Sequence, residues 1–122
     1  MNEIERIISA LNTIRISAQP EEADIHCAVS AALDKAGIAF EHEYKLMPGK
    51  RIDFVCGSIG IEVKKSRPKS AALQAQLHRY LENTCLTAII VVLQKPCHLP
   101  MTICGKEVHV VSLNRLWGVA LH

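Results

Sequence analysis

The stretch Arg51-Ile52-Asp53-Phe54-Val55-Cys56-Gly57-Ser58-Ile59-Gly60-Ile61-Glu62-Val63-Lys64 decides how this chain folds. Ile52, Phe54 and Val55 favour one strand, and Ile59, Ile61 and Val63 favour a second. Gly57-Ser58 between them suits a two-residue turn with glycine first. That turn pairs Cys56 with Ile59 and, three steps further back, sets Asp53 opposite Glu62. Side chains alternate along a strand, so Glu62 and Lys64 share a face and Val63 points to the other. The hairpin therefore predicts two carboxylates and a lysine on one face of a sheet. Carboxylates about 5 Å apart across a ladder repel, by about 3 kcal/mol at an effective dielectric of about 20. Such a pair persists when positive charge lies between its members, and a divalent cation with oxygen ligands is the natural candidate. The plainer reading is a solvated face on which Glu62 pairs with Lys64 or Lys45.

At 122 residues the chain has room for one core, so a single domain over 1–122 is expected. A hydrophobic share of 49% with 21% charged residues belongs to a globular protein rather than a disordered one. No apolar run reaches the length of a membrane span; the longest, Ala88-Ile89-Ile90-Val91-Val92-Leu93, fits a buried strand. The start, Met1-Asn2-Glu3-Ile4-Glu5-Arg6, is acidic and amphipathic, unlike a signal peptide, so a cytoplasmic location is expected. The net charge of +2 decides little, but its distribution is uneven. Lys45, Lys50, Arg51, Lys64, Lys65, Arg67 and Lys69 surround only Asp53 and Glu62, and Arg79 adds to the basic group. A basic rim around an acidic centre suits a phosphate-bearing polymer approaching a metal; a solvated charge run is the alternative.

The five cysteines, Cys27, Cys56, Cys85, Cys97 and Cys104, are odd in number and contain no Cys-x-x-Cys, which argues for reduced thiols rather than a disulfide framework. Cys97-His98, Cys104 and His109 match no standard zinc spacing. Nothing in the sequence sets a thiol beside a base.

Ile4, Ile7, Ile8 and Leu11 repeat at helical spacing and predict a helix over 2–14. Pro20 is expected at the first position of a second helix that carries Ile25, Val29, Ala32, Leu33 and Ala36 inward and stops at Gly37. Residues 40–46 read as a strand, followed by a turn through Met47-Pro48-Gly49-Lys50 into the hairpin. After Ser66-Arg67-Pro68 a third helix is expected over 69–82, buried through Leu73, Leu77, Tyr80, Leu81 and Thr84. Residues 87–93 form a central strand. Residues 101–104 and 108–113 read as an edge hairpin turning at Gly105-Lys106, with a helical turn over 113–117. This order predicts an α/β fold, a central mixed β-sheet flanked by helices, with a right-handed crossover into 87–93.

Asp on the second strand and Glu-x-Lys on the third, in this element order, resemble the PD-(D/E)XK nuclease superfamily, whose fold is restriction-endonuclease-like. The resemblance covers about 20–93. Gln76-Leu77-His78-Arg79-Tyr80 is similar to the Gln-x-x-x-Tyr motif of the RecB-like branch, and the two strand motifs are similar to those of small resolvase-type and stand-alone nucleases. Ile52 stands where the family name has proline, and the small size leaves no room for a sequence-recognition domain.

The resemblance implies a Mg²⁺-dependent nuclease, with Mn²⁺ as substitute, hydrolysing phosphodiesters in DNA by structure rather than sequence. Asp53 and Glu62 would hold the ion with the backbone carbonyl of Val63, and Lys64 would serve the attacking water or the phosphate. Glu22, preferred to Glu21 because it shares a stripe with Ile25, Val29 and Leu33, would add a carboxylate, and Glu43 is a further candidate. Gln76 would lie near the metal with Tyr80 bracing it. Lys50, Arg51, Lys65, Arg67, Lys69, Arg79 and Tyr80 would meet nucleic acid. The histidines are scattered and carry no assigned role. A homodimer through the apolar edge at 108–113 fits a two-strand cut. The rival readings are a non-catalytic nucleic-acid-binding or assembly module on the same fold, and a subunit active only in a larger complex.

Overall fold

The computed structural model describes residues 1–17, 20–82 and 84–113. Its elements run α1 (Glu3–Leu11), α2 (Glu22–Lys35), β1 (Glu41–Met47), β2 (Lys50–Cys56), β3 (Ile59–Lys64), α3 (Ser70–Leu81), β4 (Ala88–Leu93), β5 (Thr102–Ile103) and β6 (Lys106–Ser112). The strands form one mixed six-stranded sheet in the order β1-β2-β3-β4-β6-β5. The β1–β2, β2–β3 and β5–β6 pairs are antiparallel, and β3–β4 and β4–β6 are parallel. The chain is thus an α/β protein, as its element order predicts.

The helices start where local chemistry offers a cap. Asn2 accepts the amide of Glu5 at 2.8 Å and opens α1. Glu21 caps α2, with its own amide donated to Asp24 at 2.9 Å. Pro20 therefore precedes the cap instead of occupying the first helical turn. Gly37, at φ +72°, ends α2 where only glycine bends freely to the left. Ile25, Val29 and Leu33 are buried as predicted, but Ala36 is the exposed C-cap.

Two apolar layers sandwich the sheet. Ile7, Leu11, Ile25, Val29 and Leu33 of α1 and α2 pack on Phe54, Ile61, Val63, Ile90 and Val92. Leu73, Leu77, Tyr80 and Leu81 of α3 pack on Ile52, Val55, Ile89 and Val91 across the other face. β4, buried along its whole length, runs parallel to β3 after the α3 crossover.

The last hairpin forms the sheet edge as expected, with its turn shifted. It turns at Cys104-Gly105, both at positive φ (+55° and +72°), one residue before the predicted turn. A two-residue turn of this hand needs that conformation at both positions. β6 pairs with β4 from Glu107 to Ser112, whereas β5 pairs only with its first two residues, Lys106 and Glu107; Val108 and Val111 are buried and Val110 is exposed. The 108–113 segment expected to support a dimer thus belongs to the edge hairpin and continues past the two residues that β5 pairs. Most of the helical turn expected over 113–117 lies outside the described residues.

A break in alternation prepares the site. Ile52 and Phe54 are two apart, yet Ile52 packs with α3 and Phe54 with α1 and α2. β1 switches faces at the same level: His42 stacks on Phe54, whereas Tyr44 packs with the α3 layer. Between them Glu43 takes φ +54°, a left-handed conformation rare outside glycine. Gly60 makes room for the switch, since a Cβ there would lie 2.6 Å from Ile52 Cδ1 and 3.0 Å from Leu86 Cδ1. Both side chains are at most 1% exposed and have little space to move. Gly60→Ala should therefore destabilise the protein by about 1–3 kcal/mol through overpacking, measured by urea unfolding; unchanged stability would show that Ile52 is not confined.

Candidate functional site

The β2–β3 hairpin turns at Gly57 and pairs Cys56 with Ile59, Val55 with Gly60 and Phe54 with Ile61, in the predicted register. The ladder stops there, although both strands continue. Asp53 and Glu62 replace the next rungs with side chains. The Asp53 amide donates to Glu62 Oε1 at a long 3.4 Å, and the Val63 amide donates to Asp53 Oδ2 at 2.8 Å. Asp53 therefore sits in the gap between parting strands rather than on the face of Glu62. The reason is the slip in alternation at Ile52.

Glu62 lies on the α3 side, between Ile61 and Val63, which both face α1 and α2. It is 4% exposed. Its Oε2 stands 3.3 Å from Lys64 Nζ, the same-face pair expected from strand alternation. Lys64 is set in place by β4: it aligns with Leu93, and its carbonyl accepts the amide of Gln94 at 3.1 Å. Burial, and then the charge of Asp53, push the Glu62 carboxyl up from its ordinary 4.5 to about 7, while Lys64 pulls the other way. One lysine does not fully offset the burial of this carboxylate beside a second one.

Behind the carboxylates, Tyr80 donates to the carbonyl of Arg51 at 2.9 Å and accepts from Gln76 Nε2 at 3.0 Å. Burial, and then the nearby charge of Glu62, raise its hydroxyl to about 12, so it remains a donor. This chain fixes β2 two residues before Asp53. Tyr80 is 6% exposed, which makes it a brace rather than part of a surface for nucleic acid, and Gln76 acts through it.

The basic residues divide by position. Lys50 Nζ donates to the Arg79 carbonyl at 3.0 Å, tying β2 to the end of α3. Lys65 stands 3.9 Å from Glu21 Oε2, and Arg51, Arg67, Lys69 and Arg79 are exposed.

A histidine of α2 reaches Asp53. His26 Nε2 lies 3.8 Å from Asp53 Oδ2, and its Nδ1 is hydrogen-bonded to His42 Nε2 at 2.8 Å. Glu22 lies one turn earlier, away from the buried Ile25–Val29–Leu33 stripe. It lines a cavity of about 490 Å³ with Ala23, His26, Cys27, Ser30, His42 and Glu43. The spacing Glu22, His26, Ser30 marks this second stripe, but nothing in the sequence announces that His42 meets it.

For a metal ion the structure offers the carboxylates of Asp53 and Glu62 and the adjoining main chain of Val63. All are hard oxygen donors, suited to an ion that keeps several of its own waters, as Mg²⁺ does. No group of three or more His, Cys, Asp or Glu side chains converges as a metal cluster among the described residues. The five cysteines are free thiols, and burial followed by the charge of Glu3 pushes Cys56 up to about 11, far from a reactive thiolate. No helix among the described residues is long and apolar enough to cross a membrane. Comparisons of the chain with protein-family models, curated proteins and solved structures found no match in any of the three.

The state of Glu62 has a measurable consequence. An acid whose value is higher folded than unfolded keeps its proton better in the folded state, so stability falls as pH rises from about 4.5 to about 7. The full fall is of order 3 kcal/mol. In EDTA, the Tm of the wild type should drop relative to that of Glu62→Gln between about pH 5 and pH 8. Parallel Tm profiles for the two proteins would contradict the burial argument.

Proposed function

We propose that this chain is a Mg²⁺-dependent nuclease that hydrolyses phosphodiester bonds in DNA, on a restriction-endonuclease-like fold. One observation carries the reading: Asp53, Glu62 and Lys64 gather where β2 and β3 part, with Glu62 buried beside a second carboxylate. A surface that only binds DNA gains nothing from this pair, which repels phosphates.

Asp53 and Glu62, with the carbonyl of Val63, would hold the ion. A bound divalent ion neutralises charge on the phosphate and lowers the pKa of a coordinated water. Lys64, 29% exposed and anchored on Glu62, is placed to orient the attacking water or steady the phosphate. Arg51, Lys65, Arg67, Lys69 and Arg79 supply phosphate contacts that fix the backbone without reading sequence. Tyr80 and Gln76 hold β2 in position for Asp53.

Lys64→Ala should lower cleavage by about 100-fold or more while leaving DNA affinity within a few-fold, because affinity comes from the basic rim. Asp53→Asn should also stop cleavage. Arg67→Ala should instead weaken binding and lower its salt slope by about 1. The assay is incubation with single-stranded, duplex, flap and four-way-junction DNA in Mg²⁺, Mn²⁺ or EDTA. Cleavage by Lys64→Ala at the wild-type rate would overturn the site. Binding without cleavage of any substrate would favour the non-catalytic module.

A further inference from the structure

We infer that the cavity between α2 and β1, which adjoins the candidate centre at Asp53, receives an amino-bearing nucleobase of the nucleic acid. The inference rests on the nuclease reading and adds the part of the substrate that reading leaves unplaced.

Four observations meet here. The cavity measures about 490 Å³, within the range of small-ligand sites. It shares His26 with the candidate centre, 3.8 Å from Asp53 Oδ2. The exposed Glu22 and Glu43 and the half-buried Ser30 line it with polar side chains that have no hydrogen bond or ion pair among the described residues. Glu43 is also held at φ +54°, and strain of this kind persists where the surroundings enforce it, often at a binding site.

The chemistry of the walls selects the occupant. Two carboxylates repel phosphate, so the part of a DNA strand that enters is the uncharged base. Carboxylates accept hydrogen bonds from exocyclic amines, as acidic side chains do from the cytosine 4-amino group. The imidazole of His42, stacked on Phe54 with centroids 4.6 Å apart and hydrogen-bonded to His26, offers a fixed planar wall of the kind on which unpaired bases stack.

Oligo-dC and oligo-dT of equal length provide the test, because the bases differ chiefly in an amino or a carbonyl group at position 4. Binding is measured by fluorescence anisotropy in Ca²⁺ at one salt concentration. The wild type should bind oligo-dC about tenfold more tightly than oligo-dT, the worth of one well-made base contact. Glu43→Gln should shrink that ratio. Glu22→Gln, on the helix and away from the strained residue, should do the same, and the double variant should bring the ratio close to one. Equal wild-type affinities in a protein that still cuts DNA, or a preference that survives in the double variant, would overturn the cavity assignment alone. Failure to bind or cut any nucleic acid would overturn the nuclease reading and the assignment with it.

Discussion

The structure turns on two acidic side chains standing in for backbone rungs between β2 and β3. Where a regular antiparallel pair would continue, Asp53 takes the amide of Val63 and Glu62 takes the amide of Asp53. Each substitution satisfies a main-chain donor that the parting strands would otherwise strand. The same arrangement draws two carboxylates together, one of them buried, with one lysine to balance them. Such a site is poorly neutralised by the protein alone, and that deficit is the physical basis for assigning it a cation.

The rest of the fold serves this opening. Gly60 leaves space for Ile52 to cross to the α3 face, and Glu43 carries the same reversal into β1. The reversal frees Asp53 from either apolar layer and turns His42 toward α2. On the other side, α3 supplies Tyr80 and Gln76, which lock the carbonyl of Arg51. β4, buried throughout, fixes β3 and with it the direction of Lys64.

Much of this was legible in the sequence because it follows from local rules. The Gly57-Ser58 turn set the hairpin register, and strand alternation set Lys64 beside Glu62. What escaped depends on partners distant in sequence. Strict alternation put Asp53 on the face of Glu62, whereas the slip in alternation between Ile52 and Phe54 leaves it in the gap. The last turn was read one residue late because it needs Cys104 at positive φ, which that residue type does not announce. His26 and His42 are 16 residues apart on different elements, and histidine spacing alone does not announce their meeting. The similarity of Gln76 and Tyr80 to a known motif located the brace, but burial of Tyr80 shows that it supports the strand instead of facing a ligand.

The central claim is that Asp53 and Glu62 together hold one divalent ion. Titration with Mn²⁺, followed by the loss of its free-ion paramagnetic resonance signal, tests this without reference to any substrate. One ion should bind per wild-type chain and per Lys64→Ala chain, and none at the same concentrations to Glu62→Gln or Asp53→Asn. Equal binding by wild type and Glu62→Gln, or no binding by wild type, would contradict the account.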